Sequence, residues 1–353
     1  MSKFLSKKYQ GLQAYVPGEQ PKERKYVKLN TNESPFQPSK KAQELAKEQL
    51  QKCMLYSDPD CKELCSLLAK KLGVGTENVI VGNGSDEILN FAFMAYCGGE
   101  TPAVFPDITY GFYKVFADLH GAKKTELPLR EDFTVNLEDY KQAKGTVFLA
   151  NPNAPTGLAL SVAEVEELLA ADSGRIVVID EAYVDFGWES CVPLIQKYGN
   201  LLVSQTFSKS RSLAGARLGV GIASREIIED LNRIKYSTNP YNVNRMTAAA
   251  GVGSLLDTEY FEACRNKIIA NREWTAEQLK ALGFTMTESQ GNFLFVRHEK
   301  IGGQELYLKL KEKGILVRHF AQERICEYNR ITVGSRKEME TLVKALKEIV
   351  CER

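Results

Sequence analysis

Short, almost uninterrupted apolar runs set the strongest limit on what this chain can fold into. They cover residues 78–81, 103–105, 146–150, 175–179, 201–203 and 218–222, each ending in polar or turn-forming residues and separated by helical patterns. A strand exposed on one face alternates apolar and polar residues. A strand that is apolar throughout needs cover on both faces. The pattern therefore predicts an α/β domain whose mainly parallel sheet is covered by helices. One covering helix is predicted over 161–171, opened by Ser161 with Glu164 three positions on, the spacing of a capping box.

The texture changes after Arg225. A long helical stretch over 243–282, broken near Asp257, is followed by short strand patterns over 292–296, 314–318 and 330–333 and a closing helix over 337–350. This predicts a second, smaller α+β domain, which suits a length of 353 residues. The expected division is an N-terminal arm and joining segment over 1–35, a large domain over 36–255 and a small domain over 256–353.

With 46 basic against 45 acidic residues, no part of the chain reads as a basic arm, so neither nucleic acid nor an acidic membrane is an expected partner. The N-terminal residues lack the apolar core of a signal peptide, and no apolar run approaches the roughly 20 residues of a membrane span. A cytoplasmic protein is expected. The eight cysteines are scattered and the three histidines lie far apart, so no metal site is expected.

Chemistry concentrates around Lys209. It lies among Thr206, Ser208 and Ser210, and Arg217 follows eight positions later. Arg211 and Arg217 are expected to lower the lysine pKa by like charge. Asp180 ends an apolar strand, where open α/β sheets bind ligands, with Tyr183 three residues on. An amine that condenses with an aldehyde, a carboxylate for a pyridinium nitrogen, a phenol for a ring oxygen and an arginine for a phosphate are the parts that pyridoxal 5'-phosphate requires. Gly84, Ser85 and Asp86 follow another strand and open a helix, an arrangement compatible with that phosphate, a nucleotide or a plain turn. Tyr110 could stack on a flat ring, and Asn153 lies in a rigid turn with amides that could reach a ring substituent. Arg318 and Arg330, in small-domain strands, would suit a substrate with both carboxylate and phosphate. A nicotinamide-dependent oxidoreductase built on the Gly82 turn would leave Lys209, Asp180 and Arg217 without a joint purpose, and a non-catalytic binding module, such as a regulator's effector domain, would not need the full candidate site that persists here.

The order of motifs resembles the fold type I PLP-dependent aminotransferases, and among them the histidinol-phosphate aminotransferases. The likeness rests on Leu29-Asn30-Thr31-Asn32-Glu33-Ser34-Pro35, Tyr56-Ser57-Asp58-Pro59, Gly84-Ser85-Asp86-Glu87, Thr109-Tyr110-Gly111, Pro155-Thr156-Gly157, Asp180-Glu181-Ala182-Tyr183, Phe207-Ser208-Lys209, Gly215-Ala216-Arg217-Leu218-Gly219 and Arg330-Ile331-Thr332-Val333-Gly334. It implies that Lys209 carries the cofactor and relays the substrate proton, with Asp180 on the ring nitrogen, Tyr183 on the ring oxygen and Tyr110 stacked on the ring. It assigns the cofactor phosphate to Ser85 and Asp86 through their backbone N–H groups, and to Ser208 and Arg217. Arg330 would take the substrate α-carboxylate, Arg318 and Tyr15 its phosphate end, and Asn32 would lie near the substrate. Tyr56 would reach the neighbouring subunit's site, which implies a homodimer. The implied reaction interconverts L-histidinol phosphate and 2-oxoglutarate with imidazole-acetol phosphate and L-glutamate. Threonine-phosphate decarboxylases and aromatic aminotransferases share the scaffold and remain the alternative. One position departs from the pattern: the family commonly has asparagine directly before Pro-Thr-Gly, and this chain has Ala154, leaving Asn153 or Tyr183 alone to serve the ring oxygen.

Overall fold

The computed structural model describes residues 2–21 and 23–351; residues 1, 22, 352 and 353, at the ends of the chain and in its arm, lie outside the described residues. After a largely exposed arm comes a two-residue strand, β1 (Val27–Lys28). The next seven strands are β2 (Val79–Gly82), β3 (Ala103–Pro106), β4 (Lys124–Leu127), β5 (Thr146–Ala150), β6 (Val177–Asp180), β7 (Leu201–Thr206) and β8 (Gly219–Ala223). They form one sheet in the order β2-β8-β7-β6-β5-β3-β4. Every pairing is parallel except those of β8, which runs antiparallel to both β7 and β2. Strands β2, β3, β6 and β8 are buried along their whole length, as expected for a sheet covered on both faces. Apolar clusters fill both sides, one including Val147, Val177 and Val203 and the other Phe93, Phe105 and Phe148.

The sequence reading missed β4. Its residues Lys124, Thr125, Glu126 and Leu127 alternate between exposed and half-buried. It is the sheet edge, where charged residues are tolerated and guard against further pairing. The helix Val162–Ala171 does open with a capping box: Ser161 N donates to Glu164 Oε2 at 2.7 Å, and Glu164 N donates to Ser161 Oγ at 3.3 Å.

Asp257 separates the helices Arg245–Leu256 and Thr258–Ala281, and its side chain accepts a hydrogen bond from Tyr260 N. Beyond them lie β9 (Phe284–Met286), β10 (Phe293–His298), β11 (Ile315–Leu316), β12 (Arg318–His319) and β13 (Asn329–Thr332). The antiparallel order is β12-β13-β10-β9. The strand expected over 314–318 is split at Val317: β11 leaves this sheet and pairs in parallel with β1, Val27 opposite Ile315. Leu29 continues the stitching, donating to Leu316 O at 2.8 Å and accepting from Thr332 N at 2.9 Å. Leu29 is buried in the same apolar cluster as Phe293, Leu294, Met339 and Leu346. The N-terminal segment is thereby fixed to the small sheet, while its next residues meet loops of the large domain: Thr31 O accepts from Lys209 Nζ and Ser34 Oγ from Ser212 Oγ. Arg324 fastens the two sheets from the other side, with Nη1 2.6 Å from Asp107 Oδ2 and Nη2 2.8 Å from Leu129 O. Among the described residues no helix is long and apolar enough to cross a membrane.

Candidate active site

A cavity of about 380 Å³ opens at the carboxyl ends of β5 and β6, whose last residues Ala150 and Asp180 both line it. Ser85, Asp86, Tyr110, Tyr183, Ser208, Lys209 and Arg217 line it as well. Residues scattered over more than a hundred positions thus meet in one place, because parallel strands deliver their following loops to the same edge of the sheet.

Lys209 sits in the loop after β7. The turn is tied by hydroxyls: Ser208 N donates to Thr206 Oγ1 at 3.1 Å, and the two side-chain oxygens are 3.0 Å apart. Its Nζ donates to Thr31 O at 3.1 Å. Burial is the largest influence on its pKa, lowering it to about 8; Arg330 lowers it further, Glu33 and Asp86 oppose, and Arg217 contributes least. Arg211, expected to share in this, turns away and lies 4.0 Å over the Phe261 ring. In the cofactor-free protein, borohydride trapping of an added aldehyde on Lys209 is expected to rise with pH around a midpoint of about 8, not 10.5. Mass spectrometry of the reduced adduct across about pH 6–10 checks this, a range of about two units on either side of the midpoint.

Asp180 closes β6. Its Oδ2 accepts from Tyr113 OH at 3.1 Å, while its Oδ1 is buried without a partner. Burial pushes this carboxyl up to about 7, with the Tyr113 hydrogen bond acting against it. An unpartnered buried carboxylate oxygen facing a cavity calls for a donor from a ligand. Tyr113 was missed as a site residue. Its i+3 spacing from Tyr110 was the available signal, since both approach the pocket from the start of one helix.

The helix Ser85–Tyr96 begins directly beside the cavity, with Ser85 and Asp86 of its first turn both lining it, and a helix N-terminus is a favourable place for an anion. Gly84 has φ 84°, and a Cβ there would meet Arg217 Nη2 at 2.4 Å. A Cβ on Gly219 would lie 2.1 Å from Ser85 N, so β8 passes close behind the cradle only because it begins with glycine. The carboxylate of Asp86 has a role that the sequence did not announce. Its Oδ1 accepts from Tyr110 OH at 2.7 Å and its Oδ2 from Arg217 Nη2 at 2.8 Å, setting both side chains around the pocket.

Other expected residues lie around this pocket or away from it. Arg318 and Arg330 are directly opposite each other in the β12–β13 register. Like charges so placed repel, yet among the described residues neither has a carboxylate within ion-pair distance. Arg330 donates to Asn30 O at 3.0 Å and keeps a buried Nε without a partner. Tyr15 stacks on Phe112 at 4.2 Å, with its ring 6.5 Å from that of Tyr110. Burial raises its pKa, and the nearby charges of Arg318 and Arg330 oppose the rise. Asn32 stands behind Tyr183, its Nδ2 donating to the phenol oxygen at 3.0 Å. Asn153 does not line the cavity: its amide donates to Ile108 O and Thr156 Oγ1, and its Oδ1 accepts from Thr109. The turn residue that does line it is Ala154. Tyr56 is 78% exposed and away from the pocket, stacked on Tyr241 at 4.4 Å. Its loop is held by Arg245 Nη2 on Tyr56 O at 2.6 Å and by Ser57 Oγ on Val243 O at 2.8 Å.

These groups fit pyridoxal 5'-phosphate: an amine for its aldehyde, an unpartnered carboxylate oxygen for its ring nitrogen and an anion cradle for its phosphate. Comparison with known proteins agrees. Residues 24–346 match the family described as aminotransferase class I and II. The chain is 46% identical to the histidinol-phosphate aminotransferase of Brachyspira hyodysenteriae over 99% of both chains. It is 43% identical to that of Clostridium acetobutylicum over 99% of this chain and 100% of the relative. The fold matches the crystal structure of histidinol-phosphate aminotransferase from Sinorhizobium meliloti in complex with pyridoxal-5'-phosphate, with a TM-score of 0.89 and 23% identity over 100% of this chain and 99% of that one. Full-length likeness at this level of identity places the chain in the class I and II aminotransferases, within the histidinol-phosphate aminotransferase family.

Proposed function

We propose that this chain is a PLP-dependent aminotransferase that interconverts L-histidinol phosphate and 2-oxoglutarate with imidazole-acetol phosphate and L-glutamate. The observation that carries the substrate assignment is the Arg318–Arg330 pair, two cross-strand cations without carboxylate partners among the described residues. The near-dianionic phosphate of L-histidinol phosphate or imidazole-acetol phosphate, and the carboxylates of L-glutamate, would each relieve their repulsion, and guanidinium forks suit both groups. Arg330, whose Nε has no partner among the described residues, binds the α-carboxylate of L-glutamate; L-histidinol phosphate has no carboxylate and offers its phosphate in that place. Arg318 and Tyr15 take the phosphate end.

Bound pyridoxal phosphate supplies an electron-poor ring that accepts the charge left when a proton leaves the substrate Cα. Asp180 holds the proton on the ring nitrogen, and its burial makes that interaction strong. Ser85, Asp86, Ser208 and Arg217 anchor the phosphate, and Tyr110 covers the ring face. Lys209, once its amine is free, takes the Cα proton and returns it on the other side of the exchange. General acid–base help of this kind is worth about 10²–10⁴-fold. The two half-reactions run in turn at the same lysine, and each is reversible.

The second subunit enters through Tyr56. A tyrosine exposed at the tip of a loop pinned by Arg245 and Ser57, beside exposed Leu50, Met54 and Leu55, suits a homodimer in which Tyr56 reaches the partner's cofactor phosphate. Localisation in the cytoplasm accords with this reading and with a near-neutral chain.

The test is turnover with a panel of acceptors, with glutamate as amino donor. Imidazole-acetol phosphate should be used far better than phosphate-free aromatic oxo acids, and threonine phosphate should release no carbon dioxide. Arg318→Ala is expected to raise KM for imidazole-acetol phosphate about 10²-fold, the cost of one buried charge-assisted contact, while leaving the glutamate half-reaction within about threefold. Equal effects on both half-reactions, measured by rapid-mixing absorbance, would remove Arg318 from the phosphate end.

A further inference from the structure

Ala154 leaves the cofactor's ring oxygen without the usual amide, and the Asn153 amide is occupied by Ile108 and Thr109 of the loop after β3 and by Thr156 of its own turn. Tyr183 is then the phenol left to serve that oxygen, so the direction in which its proton points becomes decisive. The contacts behind the phenol settle that direction.

Thr332 lies at the end of β13, 2% exposed, and touches Asn32 twice. Its Oγ1 accepts from Asn32 N at 2.9 Å and donates to Asn32 Oδ1 at 2.9 Å. A hydroxyl has one proton to give. Were the Asn32 amide turned over, that buried proton would face an NH₂ group and find no acceptor, which is costly. The oxygen of the amide therefore faces Thr332 and its NH₂ faces Tyr183, donating to the phenol oxygen at 3.0 Å. Asn292 Nδ2 holds Asn32 O at 3.0 Å, and Asn32 itself sits at φ 55°, a left-handed conformation that asparagine tolerates. Among the described residues, the Tyr183 hydroxyl makes no other hydrogen bond. Because it accepts from Asn32, its own proton is left to point into the cavity beside Ala154.

We propose that Thr332 is a positioning residue: by fixing the Asn32 amide, it makes Tyr183 a one-way hydrogen-bond donor to the ring oxygen of the cofactor, in place of the missing asparagine. Thr332 and Asn32 do not line the pocket and act only through Tyr183. This inference rests on the PLP reading of the site given above. Its consequence is electronic. A donor at the ring oxygen stabilises negative charge there, so the neighbouring lysine-linked nitrogen gives up its proton more readily. Weakening that donor raises the pH at which the visible spectrum of the holoenzyme changes.

The experiment is a pH titration of the visible absorbance of the holoenzyme, in the wild type and in Thr332→Val, Thr332→Ser, Tyr183→Phe and Thr332→Val/Tyr183→Phe. Thr332→Val is expected to raise the midpoint by about half a unit to one unit, the size of one neutral hydrogen bond. Thr332→Ser, which keeps the hydroxyl, should titrate with the wild type. Tyr183→Phe should shift at least as far as Thr332→Val, and the double variant no further than Tyr183→Phe alone, because Thr332 acts through the phenol. Asn32→Gly removes the amide while tolerating the positive φ, and should reproduce the Thr332→Val shift if that variant folds poorly. The relay is overturned if Tyr183→Phe shifts the midpoint while Thr332→Val and Asn32→Gly do not, or if the shifts add in the double variant. A wild-type protein with no visible chromophore after added PLP overturns the PLP reading, and the relay with it.

Discussion

Lys209→Ala is expected to abolish the visible, lysine-linked chromophore and to lower turnover by about 10⁴-fold or more, since one side chain holds the cofactor covalently and moves the substrate proton. The variant should fold. Among the described residues the Lys209 amine donates only to Thr31 O, and the surrounding turn is held by Thr206, Ser208 and backbone contacts that the substitution leaves in place. Lys209→Arg separates charge from chemistry. It keeps a cation in the pocket but offers no amine able to condense with an aldehyde, so it should be as inactive as the alanine variant. Absorbance of the purified protein and single-turnover assays read both effects. Turnover in Lys209→Ala within tenfold of wild type would remove the lysine from the mechanism.

Asp180→Asn is expected to cost about 10²–10³-fold in kcat/KM, the range for removing one charge from a buried, hydrogen-bonded pair. Its effect on the cofactor-free protein should have the opposite sense. Burial raises the folded pKa of Asp180 to about 7 from 3.8. Between those values the folded state binds more protons than the unfolded one, so this group makes the wild type less stable as pH rises from about 4 to about 7. The asparagine variant lacks that slope. Chemical denaturation of the two cofactor-free proteins should therefore show the variant gaining on the wild type as pH rises through this window and levelling off above it. A residue kept only for stability would lose stability and activity together; here activity falls while stability rises.

Most of the large sheet was legible because its strands are apolar from end to end, a signal that survives without knowledge of their neighbours. Strand β4 was not, since an edge strand with Lys124 and Glu126 carries no such signal. The motif residues Lys209, Asp180, Tyr183, Tyr110 and Arg217 meet in one pocket, as expected of residues that end strands or follow them. Side-chain direction was the harder matter. Asn153 and Ala154 are adjacent, yet the turn that holds them points one amide onto the Ile108 carbonyl of the neighbouring loop and one methyl into the cavity. The Asp86 carboxylate joins Tyr110 to Arg217, a role beyond the expected backbone N–H contact. The partnership of Asn32 with Thr332 spans 300 positions, and no local pattern encodes it.

That span has a temporal meaning. Strand β1 and the residues after it leave the ribosome nearly 300 positions before their partners Ile315, Leu316 and Thr332. Contacts so distant along the chain carry a large loop-closure cost and form late. The large sheet, complete by residue 223, can assemble while the N-terminal segment still waits unpaired. The lysine loop thus exists before the wall that covers it, and the pocket closes only after the large sheet is in place. A nascent chain halted before residue 315 should present Lys209 to solvent, more open to passing aldehydes than it will ever be in the finished enzyme.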